Sequence, residues 1–122
     1  MKERVKIMND TKPVLVVSVH QNSYVTEQES GAQVFYYSNS EKGKVLALDL
    51  QENLKKLDTG NKREAKANDT YYILRHTEVP TVIVECGFLS NWEEAEKLTT
   101  EVYQQELALA VCDGILQYIR EE

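Results

Sequence analysis

Apolar and polar positions alternate along the chain in blocks that predict strands and helices in turn. Val14 to Val19 is a β-branched run with no polar face until it ends on His20, and Thr81 to Val84 is a second such run ending on Glu85. Runs of this kind suit strands covered on both sides. Gly31 to Tyr37 reads as another strand, closed by Ser38-Asn39-Ser40, and Tyr71 to Leu74 as a short one. Gln21-Asn22-Ser23 turns the chain, Glu27 to Ser30 and Lys62 to Asp69 read as polar loops, and Val79-Pro80 breaks the chain before the second apolar run.

Helical spacing appears between these strands. Leu46, Leu50, Leu54 and Leu57 recur at intervals of four, four and three, while Glu52, Lys55 and Lys56 face water. This predicts a helix over Glu41 to Leu57, with Ser40 as its N-cap and Asp58-Thr59-Gly60-Asn61 as its stop. A last helix is expected over Glu101 to Arg120. Tyr103, Leu107, Ala110, Val111, Gly114 and Tyr118 share one face, and Leu109, Cys112, Leu116 and Ile119 broaden it. A helix that apolar is expected to be mostly covered. Gly87 to Asn91 reads as a turn, with Ser90 or Asn91 capping a short helix to Leu98. Val5 and Met8 have the spacing of the closing turns of an amphipathic helix that Asn9-Asp10 would stop, or of a short helix docked on the core. Strands interleaved with helices predict a layered α/β fold, with helices on both faces of a mostly parallel sheet.

The 122 residues have the length of one small domain, and 42% are hydrophobic, which excludes a mostly disordered chain. No apolar run approaches the roughly 20 residues of a membrane-crossing helix, so no transmembrane segment is expected. The opening residues lack the apolar centre of a secretory signal. A net charge of −6 without a Lys or Arg run argues against a nucleic-acid partner.

His20 and Glu85 stand where buried strands are expected to end, the rim on which open α/β sheets collect their ligands. A neutral imidazole is a good zinc ligand, and a carboxylate beside a zinc-bound water can act as general base. A strand-end histidine is also a common hydrogen-bonded structural residue, whereas a carboxylate after four apolar residues is costly to bury without purpose. His76, in Leu74-Arg75-His76-Thr77-Glu78, reads as a solvated loop residue. Cys86 and Cys112 read as buried structural thiols, since no C-x-x-C spacing or basic cluster activates either. A nucleophilic Cys86 with His20 as base is the thiol alternative. Arg63 is either a solvated charge or a clamp for an anionic substrate group. Tyr36, Tyr37, Tyr71 and Tyr72 fit core and sheet positions better than a sugar-stacking platform.

Five blocks follow one another: Ser18-Val19-His20-Gln21-Asn22, Gly31 to Tyr37, Asn61-Lys62-Arg63, Val84 to Asn91, and Tyr103-Gln104. In this order they resemble the catalytic domain of zinc-dependent N-acetylmuramoyl-L-alanine amidases, which cleave peptidoglycan. The resemblance runs from about Arg4 to Tyr118, and S-V-H-x-N with V-E-x-G-F-L-S-N are its specific motifs. Gly31 to Tyr37 and Arg63 to Lys66 further resemble sporulation-type members, which act in spore cortex.

The resemblance implies Zn2+ as cofactor, with His20 as the last of three ligands. It makes Glu85 the catalytic glutamate, which activates the zinc-bound water and later protonates the leaving amine. Asn22 would orient the metal ligand or the substrate, and Arg63 would meet a substrate carboxylate or carbonyl. The bond cut joins the lactyl carbonyl of N-acetylmuramic acid to L-alanine of the stem peptide, which implies an extracytoplasmic site in the cell wall or spore cortex. The family also carries a G-H-G-G histidine and a helix glutamate ahead of the block at His20, and no such segment precedes it here. Residues 1–122 therefore read as one catalytic domain's C-terminal two-thirds, expected to bind zinc weakly or not at all and to expose a sheet edge. The competing reading is a catalytically incomplete relic that grips peptidoglycan or a partner.

Overall fold

In a computed structural model, residues 1–22, 31–58, 60–88 and 100–121 are described, with the backbone alone for 20–22, 87 and 88. The elements are α1 (Lys2–Thr11), β1 (Val16–Asn22), β2 (Gln33–Tyr36), α2 (Glu41–Leu57), β3 (Lys66–Ala67), α3 (Tyr72–His76), β4 (Thr81–Phe88) and α4 (Glu101–Glu121). The strands form one sheet in the order β1-β4-β2-β3. β1 runs parallel to β4 and β3 parallel to β2, while β2 is antiparallel to β4.

Alternation along the strands sorts their side chains into two clusters. Val34, Val82, Val84 and Cys86 pack with Leu46, Ala47, Leu50 and Leu54 of α2 and Leu107, Ala110 and Tyr118 of α4. On the opposite face Ile83 packs with Val5 of α1 and Ile73 and Leu74 of α3, with Phe35 and Tyr71 against them. Helices thus cover both faces of a mostly parallel sheet, as the pattern predicts.

The α2 helix matches its predicted bounds. Ser40 Oγ accepts from the Gly43 amide at 2.9 Å, relieving one of the orphan donors of the first turn. Gln51, also on α2, is buried and replaces a missing strand partner: its Oε1 accepts from Val34 N at 2.9 Å and its Nε2 donates to Ala32 O at 3.0 Å. Asn61 Nδ2 donates to the same carbonyl at 2.9 Å. Gly31 precedes this junction at φ 93°, where an added Cβ would lie 2.5 Å from Asn61 Oδ1, so only glycine fits.

The seam between α2 and α4 contains an acidic residue that the leucine stripe does not announce. Asp49 is buried; its Oδ1 accepts from Gln117 Nε2 at 3.1 Å, and its Oδ2 has no hydrogen-bond partner. Burial first, then the Glu121 and Glu52 carboxylates, pushes its carboxyl up to about 6.

Several expectations are corrected. Tyr71 to Leu74 is not a strand: Tyr72–His76 is a helical turn, started by Asn68, whose Oδ1 accepts from Thr70 N at 2.9 Å and Tyr71 N at 3.3 Å. Such a side-chain turn directs the backbone out of the extended state that the aromatic residues favour. Lys66–Ala67, read as loop, forms a short strand on β2. The first helix passes Asn9-Asp10 and stops at Lys12, which is left-handed at φ 49°. β1 is not covered on both faces along its whole length, since Val19 is 54% exposed; among the described residues it pairs only with β4. On α4, the face with Leu107, Ala110, Gly114 and Tyr118 is buried, but Leu109, Cys112, Leu116 and Ile119 are exposed. Cys112 is therefore not the buried thiol expected. Gly87 and Phe88, expected to open a turn, still belong to β4, and the rest of that turn with the short helix to Leu98 lies outside the described residues.

Candidate active site

The parallel register of β1 and β4 puts His20 beside Glu85, and the antiparallel register of β2 puts Gln33 on the other side of Glu85. Neighbouring strands lie about 4.8 Å apart, so positions 20, 85 and 33 form one row across three strands. The two residues singled out as strand-end groups are direct neighbours, although 65 positions separate them in the chain. Neither ends its strand, since β1 continues to Asn22 and β4 to Phe88. Between the pairs His20/Glu85 and Asn22/Phe88 the register shifts, β4 having one residue more than β1. A bulge of this kind bends a strand and re-aims what it carries. Asn22 is thus on the same strand as His20, just past the irregularity.

Glu85 is only 2% exposed. An ionised carboxylate so buried needs donors, and Tyr71 provides one, its hydroxyl donating to Oε1 at 3.0 Å. Tyr71 belongs to the cluster shared by α1 and α3, so Glu85 emerges on that face, two residues beyond Ile83. Gln33 ties the row to the segment carrying Arg63: its Nε2 donates to Glu64 O at 2.8 Å. Arg63 is half-buried beside Gly31, and its amide donates to Asn61 Oδ1 at 2.9 Å. The register and these bonds bring His20, Glu85 and the Arg63 segment toward one end of the sheet.

The other candidates fall away from this row. Cys86 is buried in the cluster under α2 and α4, on the face opposite Glu85, and burial together with the Glu85 charge pushes its thiol up to about 11. A thiol so held carries almost no thiolate near neutral pH, against the nucleophile alternative. His76 stacks on Tyr72, ring centroids 4.1 Å apart, and its carbonyl accepts from Asn9 Nδ2, beside the start of β4. Among the described residues no three His, Cys, Asp or Glu side chains are grouped to hold a metal ion. A catalytic zinc needs about three protein ligands.

Two residues of the site were missed from sequence. Tyr71 has the pattern of a strand residue; the preceding Asn68-Asp69-Thr70 is the available signal for a turn delivering it elsewhere. Gln33, polar within an otherwise apolar strand, marks the row as Glu85 does.

These features define an α/β protein with a buried carboxylate on a central strand and an imidazole-bearing residue in register beside it. The model of the family N-acetylmuramoyl-L-alanine amidase matches residues 1–117, and the chain belongs to that family. Its relatives include the germination-specific N-acetylmuramoyl-L-alanine amidase of Bacillus subtilis, 33% identical over all of this chain and 52% of the relative. The solved CwlD amidase of Clostridioides difficile, in complex with the GerS lipoprotein, superposes with a TM-score of 0.96 and is 38% identical, over 99% of this chain and 62% of its own. The catalytic domain of the CwlV amidase of Bacillus (Paenibacillus) polymyxa var. colistinus is 28% identical with a TM-score of 0.87, over 99% and 66%. The chain thus spans about half of the curated relative and under two-thirds of the CwlD chain.

Proposed function

We propose that this protein is a peptidoglycan hydrolase cleaving the amide between the lactyl carbonyl of N-acetylmuramic acid and L-alanine of the stem peptide, with Glu85 as general base and then general acid. The observation that supports this most is the buried Glu85 carboxylate in register with His20, in a chain of the amidase family. Glu85 takes a proton from the water that attacks the amide carbonyl. It returns that proton to the nitrogen as the carbon–nitrogen bond breaks, so the amine leaves neutral. Residues 1–122 belong to a single catalytic domain in this reading and match about half of the curated relative. Arg63 offers a charge to a substrate carboxylate or carbonyl, and Asn22 orients groups at the His20 end of the row.

Zn2+ belongs to this reading through His20 as ligand, but the described residues supply no complete ligand set. The second reading is a chain that keeps the fold and grips peptidoglycan without hydrolysing it. The relatives include a germination-specific amidase, so action on spore or cell-wall peptidoglycan, outside the cytoplasm, is part of the proposal. No described helix is long and apolar enough to cross a membrane.

Release of L-alanine amino termini from purified peptidoglycan tests the reading, with zinc content measured on the same samples. Hydrolysis by the protein as its gene encodes it, lost in Glu85→Gln, is the expected result. Equal release by Glu85→Gln removes Glu85 from catalysis. Binding to peptidoglycan without release by either form establishes the second reading.

A further inference from the structure

Glu85 is held by a side chain whose own place is fixed independently of any substrate. Asn68 N donates to Tyr36 O at 2.8 Å, pinning the connection to the end of β2. The Asn68 carboxamide oxygen then gathers Thr70 N, Thr70 Oγ1 at 2.8 Å and Tyr71 N, which sets the backbone from which Tyr71 departs. The Tyr71 ring meets Phe35 edge to face, centroids 6.3 Å apart at 71°. Phe35 is in register with Ile83, two residues before Glu85 on the same strand. At the end of this chain of contacts the phenol hydroxyl donates to Glu85 Oε1 at 3.0 Å.

From this geometry we infer that Tyr71 is the positioning residue of the catalytic carboxylate, an inference that rests on the amidase reading of Glu85. A hydrogen bond from a fixed phenol restricts the carboxylate to one rotamer, so less freedom is lost on reaching the transition state. It also engages one oxygen. That oxygen is Oε1. Tyr71 touches neither water nor substrate in this role; it acts through Glu85.

Tyr71→Phe tests the inference, because it keeps the ring against Phe35 and removes only the hydroxyl. In the protein as its gene encodes it, kcat for L-alanine terminus release is expected to fall about tenfold with KM within twofold, as for loss of one charge-assisted hydrogen bond. The melting temperature is expected to stay at the parent value, whereas a purely structural role would lower it together with the activity. Phe35→Leu, which removes the ring contact and keeps the hydroxyl, is the folding control and should lower kcat less. A Tyr71→Phe protein with unchanged kcat, beside an inactive Glu85→Gln, overturns the role of Tyr71 and leaves the amidase reading intact. A change confined to KM also overturns it, by placing Tyr71 on the substrate. Full activity in Glu85→Gln, or no activity in the parent, overturns the amidase reading and this inference with it.

Discussion

Gly114 sits where α4 crosses α2, and its replacement by alanine sets two calculable effects against each other. In an exposed helix the change is stabilising by about 1 kcal/mol, because alanine restricts the unfolded chain and favours the helix. At this crossing the new Cβ would stand 2.7 Å from Leu50 Cδ2 and 2.9 Å from Leu50 Cα. The methyl group could rotate away; the α-carbon could not. Carbon contacts relax at about 3.5–4.0 Å, so the helices must part by roughly 0.6–1 Å, and such a gap forfeits a quarter to a half of each contact's attraction. The loss falls on Leu46, Leu50, Leu54, Leu107, Ala110 and Tyr118, the centre of the larger cluster. Overpacking of this kind costs about 2–3 kcal/mol when backbone is what must move. The clash wins, and Gly114→Ala should be less stable than the parent by about 1–2 kcal/mol, a melting temperature lower by roughly 4–8 °C for a chain this size. Urea and thermal unfolding by circular dichroism measure both quantities. Ala108, exposed on the same helix, is the control: Ala108→Gly should cost about 1 kcal/mol through propensity alone. A Gly114→Ala protein that melts at or above the parent would refute the close approach of α2 and α4.

Two further stability measurements probe individual side chains. Asp49 is raised in the folded state from 3.8 to about 6, so the stability that its proton confers is complete below pH 4 and is lost as pH rises through about 6. Asp49→Asn, neutral throughout, should therefore gain on the parent by about 2 kcal/mol between pH 4 and pH 8, since each pH unit is worth 1.36 kcal/mol and the shift is about two units, not all of it realised at pH 4. A gap between the two proteins that does not change with pH removes the buried acid from the seam. Ser40→Ala deletes the N-cap acceptor of α2 and should cost about 1 kcal/mol, with a melt within 1 °C of the parent counting against the cap.

Much of this protein was legible in its residue pattern alone. Ser40 and the four-four-three leucine spacing determined α2 to the residue, because a capping oxygen and an apolar stripe are local signals that no distant contact has to complete. The two apolar runs predicted β1 and β4, and the polar group closing each of them marked the site. Tyr71 and Lys66–Ala67 were misread for the converse reason: Asn68 turns the backbone into a helix, and a two-residue strand exists only because β2 lies beside it. The two apolar faces of α4 look alike in sequence; only the position of α2 decides that Leu107 is covered and Leu109 is not. Asp49 carries no mark of its environment until Glu52 and Glu121 are folded around it. The site follows the same division. Residue chemistry nominated His20 and Glu85 separately, but their adjacency across 65 positions is a matter of strand register, and the phenol on Glu85 depends on a turn between β3 and α3. Register and packing join residues distant in the chain, so periodicity within a segment cannot reveal them.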